Sequence, residues 1–294
     1  MEHIPVLLKE AMEYLNVKSG GVYIDATLGF GGYSREIIKK TGNGLLIGVD
    51  NDQEAIVLAE KEIQKAGQKY QVFNDNFGNI EEILKKSGID YIDGIVFDLG
   101  VSSYQLSNPA RGFSFNADGP LDMRMNTQGY LTAYDIVNGY PGEKLAEIFN
   151  NYGEERWSKR ISEIIVRTRS IRKIETTKEL SEIVKNAIPG RFKEKHLHPA
   201  TRVFQALRIE VNRELESLEK ALASVMNHLS TGARIVVVSF HSLEDRIVKR
   251  YFQNNTDKLN ILTKKPVLPG SAEVSINFRA HSAKLRAAEM IAKL

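Results

Sequence analysis

An α/β fold with a mostly parallel sheet, interrupted by an all-helical insertion, is what this 294-residue sequence predicts. Three observations carry the prediction. Short apolar runs that end in an acid alternate with amphipathic stretches through the first third of the chain. The first of those runs leads directly into a glycine-rich turn. Strand-like runs then vanish between residues 108 and 200 and return afterwards.

Val22–Asp25 reads as the first strand, and residues 34–41 as the helix after the glycine turn. Residues 45–49 form the second strand, ending at Asp50. A helix over residues 53–66 follows, with Ile56, Ala59 and Ile63 as its inner stripe. Residues 70–73 are a third strand and 80–86 a helix. The fourth strand, 94–97, is apolar throughout and ends at Asp98. Neither face of a central parallel strand meets solvent, which is why its sequence does not alternate.

The insertion opens with a Gly/Pro/Asp-rich loop at 116–120. Helical segments follow at 133–137, 143–152, 155–168 and Thr177–Ala187, and Pro189-Gly190 ends the series. One long helix over 201–229 resumes the pattern, with Val203, Leu207, Val211, Leu215, Leu218 and Leu222 on one face. Thr231-Gly232 breaks it. A fifth strand at 234–238, a helix bearing Ile247, Val248 and Phe252, and a strand at 259–263 come next. Residues 284–293 have a helical period.

Composition bounds the function. The chain is 42% apolar and 26% charged, as an ordinary globular protein is. It has no cysteine, which excludes disulfides, thiolate nucleophiles and Cys-based zinc sites. No signal-peptide pattern opens it, and no apolar stretch approaches the roughly 20 residues that span a bilayer, so a cytoplasmic location is expected. Charge is uneven: residues 1–107 carry 10 Lys/Arg against 16 Asp/Glu, and the remainder 30 against 21. A basic surface for an anionic partner, or a solvated basic face, follows for the later part.

The turn reads Asp25-Ala26-Thr27-Leu28-Gly29-Phe30-Gly31-Gly32. Glycines admit a tight turn and close approach of a ligand, and the N–H groups of the next helix bind a carboxylate or a pyrophosphate. Asp50, at the end of the second strand, suits both ribose hydroxyls of a bound nucleoside. A P-loop is disfavoured because no Gly-Lys-Ser/Thr follows. The turn also lacks the third glycine of the dinucleotide fingerprint, whereas an acid ending the first strand is natural for S-adenosylmethionine (SAM) enzymes. Phe77, after Asn74-Asp75-Asn76, is placed to lie beside an adenine ring or to fold onto the core. Asp98 stands where open α/β sheets place ligands, and Gln105 lies just beyond it.

The chain resembles the bacterial 16S ribosomal RNA cytosine-N4-methyltransferase family, the MraW family. The matching segments include His3-Ile4-Pro5-Val6-Leu7-Leu8, Asp98-Leu99-Gly100-Val101-Ser102-Ser103, Arg111-Gly112-Phe113-Ser114-Phe115 and Asp118-Gly119-Pro120-Leu121-Asp122-Met123-Arg124-Met125. Further along come Tyr152-Gly153-Glu154-Glu155-Arg156, His198-Pro199-Ala200-Thr201-Arg202-Val203-Phe204-Gln205-Ala206 and Ser239-Phe240-His241-Ser242-Leu243-Glu244-Asp245-Arg246. They occur in family order along almost the whole chain.

That resemblance implies a class I SAM-dependent methyltransferase fold, Rossmann-like, in residues 1–107 and 201–294. The helical insertion at 108–200 would then recognise substrate. On this fold the tail is better read as a closing antiparallel strand. The implied activity is methylation of a cytidine amine in small-subunit (16S) ribosomal RNA. SAM contacts carry over to Gly31, Gly32, Tyr33, Asp50, Phe77, Asp98 and Gln105. The family usually has His at the position of Tyr33, and Pro and Arg where this chain has Phe278 and His281.

No cysteine is available for covalent attack on cytosine, so direct transfer to nitrogen is expected. Asp98 is the candidate acceptor for the amine proton, or only an anchor for SAM. Candidate RNA contacts are Arg111, Arg124, Arg202, His241 and Arg246, with Lys249, Arg250 and the basic run 167–173. His196 and His198 form a weak metal pattern, and no metal is expected. Two other readings stay open: a SAM enzyme acting on DNA or a small molecule, and a non-catalytic RNA-binding protein with a nucleotide fold.

Overall fold

The computed structural model describes residues 5–66, 68–192 and 197–291. His3, Ile4 and His196, singled out above, lie outside them. Contacts divide the chain into two units: residues 1–100 with 215–294, and residues 101–214. The expected insertion, 108–200, falls inside the second unit, which is wider at both ends.

The first unit begins with α1 (Leu8–Leu15), β1 (Val22–Asp25), α2 (Gly32–Thr41), β2 (Leu45–Asp50), α3 (Gln53–Ile63), β3 (Tyr70–Asn74), α4 (Ile80–Ser87) and β4 (Ile92–Asp98). The second unit holds α5 (Ser103–Ser107), α6 (Ala133–Gly139), α7 (Gly142–Asn151), α8 (Ser158–Arg169), α9 (Thr177–Ala187) and α10 (Thr201–Asn212). The chain then returns through α11 (Glu214–Val225), β5 (Leu229–Ser239), α12 (Ser242–Asn254), β6 (Leu259–Ile261), α13 (Ser271–Ile276) and β7 (Lys284–Met290).

All seven strands form one sheet in the order β3-β2-β1-β4-β5-β7-β6. The first five are parallel; β7 runs antiparallel to both β5 and β6. The tail is therefore the closing strand, not the helix its period suggests. Alternate side chains leave the pleat on opposite faces, so each strand feeds two cores. Ile24, Ile95 and Phe97 pack with α4, α11 and α12 on one face. Tyr23 and Val96 pack with α1, α2 and α3 on the other. Helices on both faces explain why β4 is apolar at successive positions.

Two expectations are corrected here. The long helix over 201–229 is two helices, because Arg213 adopts a left-handed conformation (φ 49°) that ends α10. The apolar period runs through this break and hides it. The fifth strand starts at Leu229 rather than residue 234. Thr231-Gly232 lies within it, at an irregularity where the pairing steps from Leu229 to Arg234 opposite Ile92 and Gly94. Gly232, at φ 81°, supplies the backbone conformation that this requires.

The helical unit has its own core, with Leu145, Ile148 and Phe149 of α7 packed with Ile161 and Ile165 of α8 and Phe204 and Leu207 of α10. Asn212 ties its loop to α10. The side chain donates to the Met123 and Arg208 carbonyls, each at 2.8 Å, and accepts the Met125 N–H at 2.7 Å. Asn212→Ala leaves those groups unpaired and is expected to destabilise the fold by about 1–3 kcal/mol, read as a lowered urea midpoint. An unchanged midpoint would show that water satisfies them equally well.

Candidate active site

The site is built at the carboxyl edge of the parallel strands, where β1, β2 and β4 end in Asp25, Asp50 and Asp98. Past β1, the Ala26 N–H bonds to the Val96 carbonyl and the Leu28 N–H to the Val49 carbonyl, each at 2.9 Å. The turn is thereby strapped across both neighbouring strands. Gly29 (φ 49°) and Gly31 (φ 75°) then take left-handed conformations that L side chains adopt at a cost, and Gly31 caps α2. At Gly32 the constraint is contact: a Cβ there would overlap Pro5 Cγ.

Asp25 is fully buried. Its carboxylate accepts the Ser34 hydroxyl at 2.7 Å and the Thr27 N–H at 3.3 Å. Burial pushes its pKa up to about 6 against these hydrogen bonds. It joins the end of β1 to the first turn of α2, so its role is to hold the turn. Asp50 is half-buried; it accepts the Gly29 N–H at 2.7 Å on one oxygen and the Asp52 N–H at 2.8 Å on the other. The acid at the end of β2 and the glycine turn are therefore one hydrogen-bonded assembly. Each Asp50 oxygen has a further lone pair for a ligand hydroxyl. Burial raises its pKa to about 6 as well.

At the end of β4, the Asp98 N–H donates to the Thr27 hydroxyl at 2.6 Å. Its Oδ1 is shielded from solvent and has no hydrogen-bond partner among the described residues. Burial, followed by the charges of Asp25 and Glu244, holds the Asp98 carboxyl well above the usual carboxylate range. Glu244 is itself buried, and accepts the Phe240 N–H at 2.8 Å and the His241 N–H at 3.3 Å at the start of α12. Thr27, Ser34 and Glu244 went unselected in the sequence. Thr27 and Ser34 flank the glycines, and this is the one signal that points to them.

The other expected residues have mixed outcomes. Tyr33 turns its ring into the core and donates its hydroxyl to the Val6 carbonyl. Any ligand contact at this position therefore belongs to its backbone. Phe77 packs edge-on against Phe97, with centroids 5.7 Å apart, while Asp75 and Asn76 bond within their own turn. Gln105, in the helical unit, closes a capping box: its Oε1 accepts the Ser102 N–H at 2.9 Å. His241 caps α12 with its Nδ1. Arg246 is exposed on that helix.

Two of the candidate arginines have partners within their own loop. Arg111 is buried and donates to the Arg124 and Met125 carbonyls at 3.0 and 2.9 Å. Arg124 grips Asp122 through two nitrogens and donates to the Gly129 carbonyl at 2.7 Å. Both guanidinia hold the 111–129 loop together. In the basic run, Arg169 donates to the Val137 and Tyr140 carbonyls and Arg172 pairs with Glu179.

Asp50 supports a pH prediction. A carboxyl whose pKa the fold raises contributes stability that is complete below about pH 4 and lost as pH rises through about 6. Ligand binding through its ionised form has the opposite sign. SAM affinity is expected to fall up to about tenfold per unit as pH drops below about 6. Calorimetric titration should show this in the native protein and a weak, pH-flat affinity in Asp50→Asn. A native affinity that is constant through that window would remove Asp50 from the ribose site.

Comparison with known proteins gives a consistent picture. The MraW methylase family model matches residues 1–291. A Halothermothrix orenii protein named ribosomal RNA small subunit methyltransferase H is 49% identical, with 99% of each chain covered. The Carboxydothermus hydrogenoformans protein of the same name is 46% identical, with 98% of each covered. Among solved structures, a Clostridium thermocellum protein assigned as an rRNA methylase superposes with a TM-score of 0.50 at 14% identity, covering 99% of this chain and 100% of that one. The sheet order and this likeness place the first unit in the class I methyltransferase fold. No helix among the described residues is long and apolar enough to cross a membrane.

Proposed function

The chain belongs to the MraW methylase family, and from that premise we propose that it transfers a methyl group from SAM to the exocyclic N4 of a cytidine in small-subunit ribosomal RNA. The names of the relatives support the substrate class, and a cytoplasmic setting goes with a ribosomal substrate. The observation that carries the chemistry is the orphaned Asp98 Oδ1 at the edge of the sheet, beside the turn that Asp25 and Asp50 hold.

The residues present fit SAM. Asp50 offers lone pairs to ribose hydroxyls, Phe77 an aromatic face for adenine, and the opening of α2 at Gly31, Gly32 and Tyr33 backbone donors for a carboxylate. SAM, when bound, supplies an electrophilic methyl group on a sulfonium. The cytosine amine has its lone pair delocalised into the ring, so the protein's main task is to orient it in line with the methyl group.

Asp98 then has two roles. A cation nearby favours its ionised form, counteracting the burial that raises its pKa. Its carboxylate accepts a hydrogen bond from the amine, and takes the proton that nitrogen releases as it gains the methyl group. Nothing in this scheme needs a nucleophilic side chain, in keeping with a chain without cysteine.

The test supplies methyl-labelled SAM to small ribosomal subunits, their naked RNA, and DNA, all from cells lacking this protein. Label entering small-subunit RNA is the expected result. Label on DNA alone, or on no polymer, would overturn the proposal in favour of another methyl acceptor or a binding role.

A further inference from the structure

Two of the sequence motifs, Tyr152–Arg156 and His198–Ala206, both line a cavity of about 290 Å³ in the helical unit. Its lining includes Glu155, Arg156, Trp157, Phe192, His198 and Arg202.

The backbone fixes these walls. A Cβ on Gly153 would come within 2.6 Å of the Arg202 carbonyl and 2.7 Å of the Phe149 carbonyl, so the loop before α8 lies directly against α10. Glu154 then takes a left-handed conformation (φ 50°), unusual for a residue with a side chain, which turns the next three residues. Glu155 is buried and holds Trp157 in place by accepting its N–H at 2.8 Å.

The cavity's ring surfaces are those of Trp157, Phe192 and His198. Trp157 and Phe192 have centroids 5.2 Å apart at 47°, and Phe192 is 50% exposed. His198 stacks on Phe115 at 4.4 Å and 25°, with its Nδ1 accepting the Ala200 N–H. Burial lowers the His198 pKa, favouring the neutral ring that a stacking role needs. Arg156 is exposed at the rim. Exposed aromatic faces, guanidinium groups and a carboxylate acceptor within one small hollow match the parts of an unstacked nucleotide. Rings stack on the base, arginine meets the phosphate, and a carboxylate accepts from an exocyclic amine.

Resting on the RNA-methylating reading above, we propose that this cavity is a docking site for one unstacked nucleotide of single-stranded ribosomal RNA. Its base lies against Trp157 and Phe192, its exocyclic amine is directed at Glu155, and its phosphate is held by Arg156. Engagement here positions the RNA without entering the methyl-transfer chemistry.

Trp157 is the chain's one tryptophan, so its emission reports the site directly. The full chain is titrated with a single-stranded oligocytidylate of about ten nucleotides, followed both by Trp157 emission and by the anisotropy of an end label. Saturable quenching with the same midpoint as the anisotropy is expected. Phe192→Ala, a change at a half-exposed side chain, should weaken binding about tenfold, a typical loss for one base stack. In turnover it should raise KM for RNA and leave kcat and SAM affinity unchanged.

Anisotropy change without quenching would overturn the proposal, as would no quenching at millimolar oligonucleotide. Equal quenching by inorganic polyphosphate, which has no base, would do the same, as would native affinity in Phe192→Ala. These readouts are independent of methyl transfer. If label never enters ribosomal RNA while quenching persists, the functional reading fails alone; methylation without quenching defeats only the docking site.

Discussion

Asp98→Ala is expected to lower kcat for methyl transfer by about 10²–10⁴-fold, the range for loss of a positioned proton acceptor. The dissociation constant for SAM should change by less than about tenfold. The reason is local: Oδ1 is buried without a partner among the described residues, whereas the residue's N–H is already bonded to Thr27 and its place in β4 is set by the backbone. Asp98→Asn keeps the size of the side chain and removes its basicity, so it should lose nearly as much. Single-turnover rates at saturating SAM separate the two effects. A variant with native rate and merely weaker SAM binding would reduce Asp98 to an anchor.

Gly32→Ala is expected to abolish useful SAM affinity and to destabilise the unliganded protein by about 1–3 kcal/mol, the usual cost of overpacking. The added Cβ overlaps the Pro5 ring, which has no flexible end to swing aside. Pro5 belongs to a segment that is also held elsewhere. The Tyr33 hydroxyl bonds to the Val6 carbonyl, and the Leu7 N–H donates to Glu273 Oε1 at 2.7 Å. Relief must therefore come from α2 or from the glycine turn, and either displaces the proposed cofactor donors. Thermal melting with and without SAM measures both effects. An unchanged melting temperature together with an undiminished SAM-induced shift would show that the turn absorbs the extra atom.

Much of this arrangement was legible in the sequence, for physical reasons that also mark where legibility stops. Strands buried on both faces produce runs such as Ile95-Val96-Phe97, and acids that end such runs fall at one edge of a parallel sheet. Asp25, Asp50 and Asp98 could therefore be placed before any coordinates. The break at Arg213 was hidden because a charged residue rarely adopts a left-handed conformation and the apolar period continues past it. The start of β5 was hidden because Thr231-Gly232 reads as a helix stop when in fact it sits within an irregular strand.

Side-chain partners are a different kind of information. Arg111 and Arg124 have the composition of RNA contacts, and only the fold shows that carbonyls and Asp122 bind them. The assembly of Asp50 with the Gly29 N–H spans 21 residues of sequence, and no local pattern announces it. Tyr33 shows the same limit at a single position. Its departure from the expected His is visible in the sequence, but only the fold shows the ring buried and its hydroxyl bonded to the Val6 carbonyl.

The central claim is direct transfer to a cytidine amine, and the identity of the methylated nucleoside tests it most directly. Small-subunit RNA labelled by the purified protein and methyl-labelled SAM is digested to nucleosides, and the label is compared chromatographically with authentic standards. The account predicts that the label travels with N4-methylcytidine and is lost in Asp98→Ala. Label travelling with 5-methylcytidine, with a 2′-O-methyl nucleoside, or with any base other than cytosine would contradict it.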